Sequence, residues 1–390
     1  MPTHNIVVLG GSFAGLGVAH NLLRHVIPHL PNSDDYKLIL VNPSDHFYFK
    51  PASPRMTSRE DLISFDTLMI PISRGFSDYH QFELVQAYAR QINPETRDIT
   101  LELANADKTS STIHYDTLVI ATGASSTSAL WSPATPKEAT EAALTEFREK
   151  LKTAQRVIIA GGGAVGVETA GELGFDHGKQ KDIVLYSGTT RLLSRLRADV
   201  GKRAEEYLNE TDVTVVHNTK ILSNGPGADG NEVLHLSDGS KITADLFIDA
   251  RGTKLNNSYL PPSWLNERGA VAVDDTQRVK AAGSGARIYA VGDIASYSSG
   301  GIMDIQSAIQ PLAAVIEHDL TGGESKAQPT YTGQKSQSML VPVGRKRAVG
   351  VIFDYWLPSY IGHMIKGKTF FADQGVATVM GDKWTKKKIY

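Results

Sequence analysis

Two glycine-rich turns prepare this chain for chemistry. The first reads Ile6-Val7-Val8-Leu9-Gly10-Gly11-Ser12-Phe13-Ala14-Gly15. The second reads Val157-Ile158-Ile159-Ala160-Gly161-Gly162-Gly163-Ala164-Val165-Gly166-Val167-Glu168. In each, an apolar run of strand character enters a turn of small residues and leaves as a helix. Such a turn offers backbone N–H groups at a helix N-terminus to a pyrophosphate, the arrangement that binds a dinucleotide. One turn alone is weak evidence. Two in one chain suggest two dinucleotides, and the simplest chemical reason to hold both is electron transfer between them.

Individual positions sharpen this reading. Gly10 permits the tight bend, Gly15 permits close helix–strand contact, and Ser12 stands where the middle glycine is usual. The next strand ends in Asn42, where an acid would normally take the ribose diol. An amide both donates and accepts, so Asn42 can still bind a diol; alternatively it only turns the chain before Pro43, and Asp45 is the substitute ligand. The second turn has all three glycines, Gly161, Gly163 and Gly166. Glu168 on its helix either fixes the nicotinamide ribose or carboxamide of NAD(P)H or simply suits the positive helix end. The following strand ends Leu185-Tyr186-Ser187-Gly188 without an acid, which removes a barrier to the 2′-phosphate of NADPH. Ser187, Thr189, Thr190 and Arg191 are candidates to contact it, although Arg191 can equally be a surface residue. NADPH or NADH is therefore expected as donor, with NADPH favoured. Asp293, after Ile288-Tyr289-Ala290-Val291-Gly292, would present a carboxylate to a sugar-alcohol chain, or merely cap the segment that follows.

Elements must deliver these residues. Strand runs are expected at Lys37–Val41, Tyr115–Ile120, Ile183–Tyr186, Leu246–Ala250 and Ile288–Val291, and an antiparallel pair around Phe82–Ile92 and Ile99–Leu103. Lys137–Lys152 reads as a helix. Ile305–Leu320 reads as another, kinked or started by Pro311. The expected fold is α/β, with two Rossmann-like domains and a smaller α+β C-terminal domain. The first domain is discontinuous, 1–125 and 265–321; the second spans 126–264; the third spans 322–390. Tyr355–Phe371 is unusually aromatic, and part of it is expected either to form the small domain's core or to wall an apolar acceptor site.

Composition excludes other classes. The 390 residues carry a formal net charge of -2, so nothing favours nucleic acid as a partner. There is no cysteine, which removes disulfides, thiolate metal sites and every thiol relay. No metal site is expected. No apolar run is long enough to span a bilayer, and Met1-Pro2-Thr3-His4-Asn5 leads directly into the first strand. Neither a signal peptide nor a myristoylation site is expected, since Pro2 replaces the required glycine. A cytoplasmic location follows as an expectation, with peripheral membrane contact through the basic end, Lys383–Lys388, as an option. Oligomeric state is not legible.

Taken together, Gly10–Gly15, Ala121-Thr122-Gly123, Gly161–Glu168, Asp249-Ala250-Arg251-Gly252 and Tyr289–Asp293 resemble the pyridine-nucleotide-disulfide-type flavoproteins. The chain is most similar to their apoptosis-inducing-factor-like branch, which includes the ferroptosis-suppressor NAD(P)H:quinone oxidoreductases. The resemblance implies that Gly10, Gly11, Ser12, Phe13 and Ala14 cradle the FAD pyrophosphate. It places Arg55 beside the flavin, the Ala89 backbone at the adenine and Asp293 on the ribitol. Gly252 and Gly292 belong to the cofactor-binding motifs. Lys366 falls where the branch has a functionally important lysine, which could donate to a developing quinol oxygen. The implied activity passes a hydride from NAD(P)H to FAD and then electrons to an acceptor, a quinone being expected. Two alternatives stay open: a specialised small metabolite as substrate, or a slow-turnover redox-responsive interaction protein.

Overall fold

The computed structural model describes residues 4–59, 61–104, 107–227, 230–283, 285–324 and 328–388; the N-terminal Pro2 lies outside them. Among the described residues the largest sheet has seven strands. Their order is Ile288–Ala290, Thr117–Ile120, His4–Leu9, Tyr36–Asn42, Phe82–Asn93, Asp98–Leu103 and Ser110–His114. The central strands are continuous Val/Ile/Leu runs because helices or loops cover both faces of a parallel sheet. His4–Leu9 pairs in parallel with Tyr36–Asn42 on one side and with Thr117–Ile120 on the other.

The chain leaves this sheet after Ile120, builds a second one, and returns with Ile288–Ala290, parallel to Thr117–Ile120. Phe82–Asn93 serves two neighbours. Its first half runs parallel to Tyr36–Asn42; its second half runs antiparallel to Asp98–Leu103, with a register shift between Ala89 and Gln91.

The second sheet is parallel throughout: Val213–Val216, Asp182–Tyr186, Arg156–Ala160 and Leu246–Asp249. Both large sheets place their first glycine turn at the C-terminal end of the central strand, where ligands of open α/β sheets bind. In both turns the geometry demands glycine. Gly10 and Gly161 have φ of 107° and 121°, and a Cβ on Gly15 or Gly166 would meet the carbonyl oxygen of Gly10 or Gly161 at 1.7 or 1.8 Å.

The helix Ile302–Leu320 runs through Pro311 rather than starting at it. Ile309, Leu312 and Ile316, all fully buried, hold it against the core and override the local cost of proline. After a polar connection come the antiparallel strands Met339–Val343, Arg347–Ile352 and Tyr355–Trp356. The chain then crosses back to the first domain. His20 Nε2 donates to the Val379 carbonyl at 2.7 Å, and its ring stacks on Phe76.

Candidate active site

The first cavity, about 340 Å³, lies over the first glycine turn. Gly10, Gly11, Ser12, Asn42, Ala89, Ala121 and Thr122 line it. Phe13, Ala14 and Gly15 begin the helix behind them, and the Phe13 ring packs edge-on to Phe47 at 5.0 Å. Asn42 is engaged within the turn: its Oδ1 accepts from the Gly11 N–H at 2.9 Å and its Nδ2 donates to the Ser44 carbonyl at 2.7 Å. Its amide thus shapes the cradle, leaving one lone pair and one N–H for a ligand. Gly123 follows with φ of 57° and open space at its Cα.

Gly292 packs against Ala14, where a Cβ would come within 3.0 Å of the Ala14 methyl group. That contact carries Asp293 to the first helix. Its Oδ1 is buried with no hydrogen-bond partner among the described residues. A buried, unsatisfied carboxylate oxygen is costly unless a ligand donates to it. This orphan oxygen and the small-residue cradle fit FAD, with pyrophosphate at Gly10–Ser12 and a ribitol hydroxyl at Asp293.

The second cavity, about 410 Å³, lies over the second turn. Gly161, Gly162, Gly163, Ser187, Gly188, Thr189, Lys220, Arg251 and Gly252 are among its lining residues. Arg191 does not reach it. Its guanidinium donates to the carbonyls of Leu193 and Ser194, closing its own loop. Arg251 is tied to Asp249 by Nε–Oδ1 and Nη2–Oδ2 bonds of 2.8 Å each. Lys220 is the cation of this cavity whose side chain has no ion pair among the described residues. It carried no motif and sequence reasoning missed it.

A third cleft, about 350 Å³, lies where the two cavities converge. It shares Ser126 with the first and Gly163, Ser194, Ala250 and Gly252 with the second. Pro51, Pro54, Trp131, Val165, Leu193 and Leu196 make its walls apolar, and Lys50, Glu168 and Arg195 bring charge to it. The Glu168 carboxyl is 3% exposed, and burial raises its pKa, opposed by the neighbouring Lys366 ammonium. Lys366 Nζ donates to Glu168 Oε1 at 2.5 Å and to the Leu340 carbonyl at 3.0 Å. It stands behind Glu168 and does not line the cleft. Two of its three donors are committed, so a direct role as donor to a quinol oxygen is not what this geometry prepares.

Arg55 also departs from expectation. It does not line the cleft but is buried between domains. Its Nε and Nη2 donate to both Glu172 oxygens at 2.9 and 2.8 Å, its Nη1 reaches the Gly367 and Lys368 carbonyls, and its guanidinium lies over the Phe370 ring. Glu168, Glu172 and Asp176 recur every four residues along the helix Ala164–His177 and so share one face. Each meets a cation from elsewhere: Lys366, Arg55 and Arg345. The spacing was visible in the sequence; the partners were not.

The aromatic C-terminal segment does not wall the cleft. Met339 is the residue of that domain lining it. Phe353, Tyr355, Trp356, Tyr360, Met364 and Ile365 are exposed. Among the described residues Tyr355–Trp356 is an edge strand paired with Arg347–Ile352, and both of its side chains are exposed. Among the described residues no helix is long and apolar enough to cross a membrane.

Comparison with known proteins gives consistent matches. The family model described as pyridine nucleotide-disulphide oxidoreductase matches residues 4–311. Oxidoreductase phnG of Penicillium herquei is 32% identical, over 98% of this chain and 97% of its own length. Ferroptosis suppressor protein 1 of Xenopus tropicalis is 26% identical, over 95% of this chain and 94% of its own length. The crystal structure of the sulfide:quinone oxidoreductase from Aquifex aeolicus shares the fold, with a TM-score of 0.73 at 18% identity, covering 97% of this chain and 92% of that one.

Proposed function

The chain belongs to the pyridine nucleotide-disulphide oxidoreductase family, and from that premise we propose an FAD-dependent NAD(P)H oxidoreductase whose acceptor is a quinone-type ring. The bound flavin would supply the ring that takes a hydride from the nicotinamide and passes the electrons on. The protein's residues align, orient and exclude water. Backbone N–H groups at Gly10–Ser12 and Gly161–Gly163 hold the two pyrophosphates. Asp293 accepts from the ribitol. Lys220, rather than Arg191, faces the 2′-phosphate of NADPH. Glu168 accepts from the nicotinamide ribose or carboxamide at the point where the tracks converge, with Lys366 keeping its carboxylate in place.

The observation that carries this reading is the convergence of two glycine-turn cavities on one apolar cleft that holds Glu168. A cysteine-free chain has no thiol relay, so electrons must leave by direct contact with the acceptor. A flat apolar ring suits walls of Trp131, Pro54, Leu196 and Met339. The relative phnG is named an oxidoreductase and the fold neighbour a sulfide:quinone oxidoreductase, names in keeping with a redox enzyme of this type. The test is an anaerobic titration of the purified protein with NADPH and NADH, followed by reoxidation with a panel of quinones. Bleaching of the flavin by NADPH and rapid reoxidation by quinone are expected. Bleaching without quinone turnover would move the acceptor to a specialised small metabolite. No bleaching by either donor would remove the oxidoreductase reading.

A further inference from the structure

Lys50 is a charged residue at the cleft that the reading above leaves without a task. It follows the buried aromatic run Phe47-Tyr48-Phe49 and opens a short helical turn, Lys50–Ala52. Its backbone carbonyl accepts from the Ser53 hydroxyl at 2.7 Å, so the main chain beneath it is held. Its ammonium is different. Among the described residues it has no ion pair and no hydrogen bond, although protein surrounds it and it lines the same cleft as Glu168. Burial lowers its pKa, and the Asp293 carboxylate acts in the opposite sense.

Two unpaired opposite charges therefore lie close enough to influence each other, Lys50 at the cleft and Asp293 with its orphan oxygen. The other cations near this region already have partners: Lys366 pairs with Glu168, Arg55 pairs with Glu172, and Arg195, which also lines the cleft, donates to the Ser299 carbonyl. A half-buried ammonium without a counter-ion is costly unless something brings negative charge to it. The ring whose ribitol binds Asp293 gains negative charge when it is reduced.

We propose that Lys50 is the cation that stabilises negative charge arriving on the flavin ring. The proposal rests on the reading that FAD occupies the first cavity. An unpaired ammonium carried on a held main chain beside the ring favours the charged ring over the neutral one. Lys366, held behind Glu168, is not placed to do this.

Sulfite tests the proposal without turnover. Its lone pair forms an S–N5 bond with oxidised flavin, and its charge passes to the N1–C2=O end of the ring. The affinity of that reaction reports positive charge near the ring. Lys50→Met should weaken sulfite binding about tenfold or more, as loss of a nearby charge in a partly desolvated cleft requires. FAD content should stay near wild type, and Lys50→Arg should keep most of the sulfite affinity. A Lys50→Met protein with full flavin and wild-type sulfite affinity would overturn the proposal. If methionine prevents flavin retention, Lys50→Gln replaces it and the same comparison decides. A wild-type protein that binds no FAD would fail the functional reading itself, and this proposal with it.

Discussion

Lys366 and Glu168 form a buried ion pair across 198 residues of sequence, with Nζ and Oε1 2.5 Å apart. One partner comes from the helix after the second glycine turn, the other from the C-terminal domain. The pair ties the third domain to the point where the nicotinamide is expected. Removing the cation leaves a carboxylate stranded in protein, which typically costs about 3–5 kcal/mol.

The first prediction uses that stranding and its sign. Burial raises the Glu168 pKa, and Lys366 holds it down. Lys366→Met should raise it further. A carboxyl whose folded pKa is raised stabilises the fold at low pH and loses that contribution as pH rises through the folded value. The variant should therefore be nearer wild type at pH 5 than at pH 8, and Glu168→Gln in the same chain should restore stability at pH 8. Thermal denaturation at the two pH values reads this; a gap independent of pH would mean that Glu168 does not hold the stranded charge.

Glu168→Ala addresses function instead. FAD should remain bound, because Glu168 belongs to the second glycine turn, while reduction by NAD(P)H slows. Stopped-flow absorbance measures this. Loss of FAD would place the flavin over the wrong turn.

The donor is tested at Lys220. Its ammonium lines the second cavity without an ion pair among the described residues, whereas Arg191 closes its own loop. Lys220→Ala should raise KM for NADPH about tenfold and leave NADH little changed, since a charge-assisted bond is worth about 1.5–3 kcal/mol before solvent screening. Arg191→Ala should affect both donors alike. Equal shifts in both KM values for Lys220→Ala would place the 2′-phosphate elsewhere.

Asp293→Ala removes the proposed ribitol acceptor. FAD affinity should fall by about 1.5–3 kcal/mol, which is roughly tenfold to a hundredfold or more. Fluorescence titration of the apoprotein with FAD reads it directly, and unchanged affinity would sink the assignment.

His20 predicts an acid-sensitive C-terminus. Burial lowers its pKa to about 4, although its bond to the Val379 carbonyl acts the other way. A histidine kept neutral in the fold contributes stability that is fully present above its unfolded value. That stability is lost as pH falls from about 6.5 toward 4. The shift is worth about 3 kcal/mol. Melting temperature followed over this range should fall less steeply in His20→Gln than in wild type. Parallel slopes would mean that His20 titrates as freely in the folded chain as in the unfolded one.

Much of the fold was legible because its determinants are local. Gly10 and Gly15, or Gly161 and Gly166, meet within one turn, so the exclusion of a Cβ is written in adjacent residues. The apolar runs at Ile6–Leu9 and Val157–Ala160 announced buried parallel strands for the same reason. Family membership rests on these motifs. Pro311 does not start its helix, because its local cost is outweighed by burial of the helix around it.

The site was only half legible. The sequence alone determined two dinucleotide turns, a carboxylate at Asp293, another at Glu168 and the absence of any thiol. Tertiary structure decided which charges meet. It tied Arg55 to Glu172, 117 residues away, and Lys366 to Glu168. It turned Arg191 onto its own loop, brought Lys220 to the second cavity, left Lys50 unpaired at the cleft and exposed the aromatic segment around Trp356. A glycine turn is specified by the backbone of a few neighbours. A charge acquires its role from whichever distant group packs against it, and that depends on how the domains close on one another.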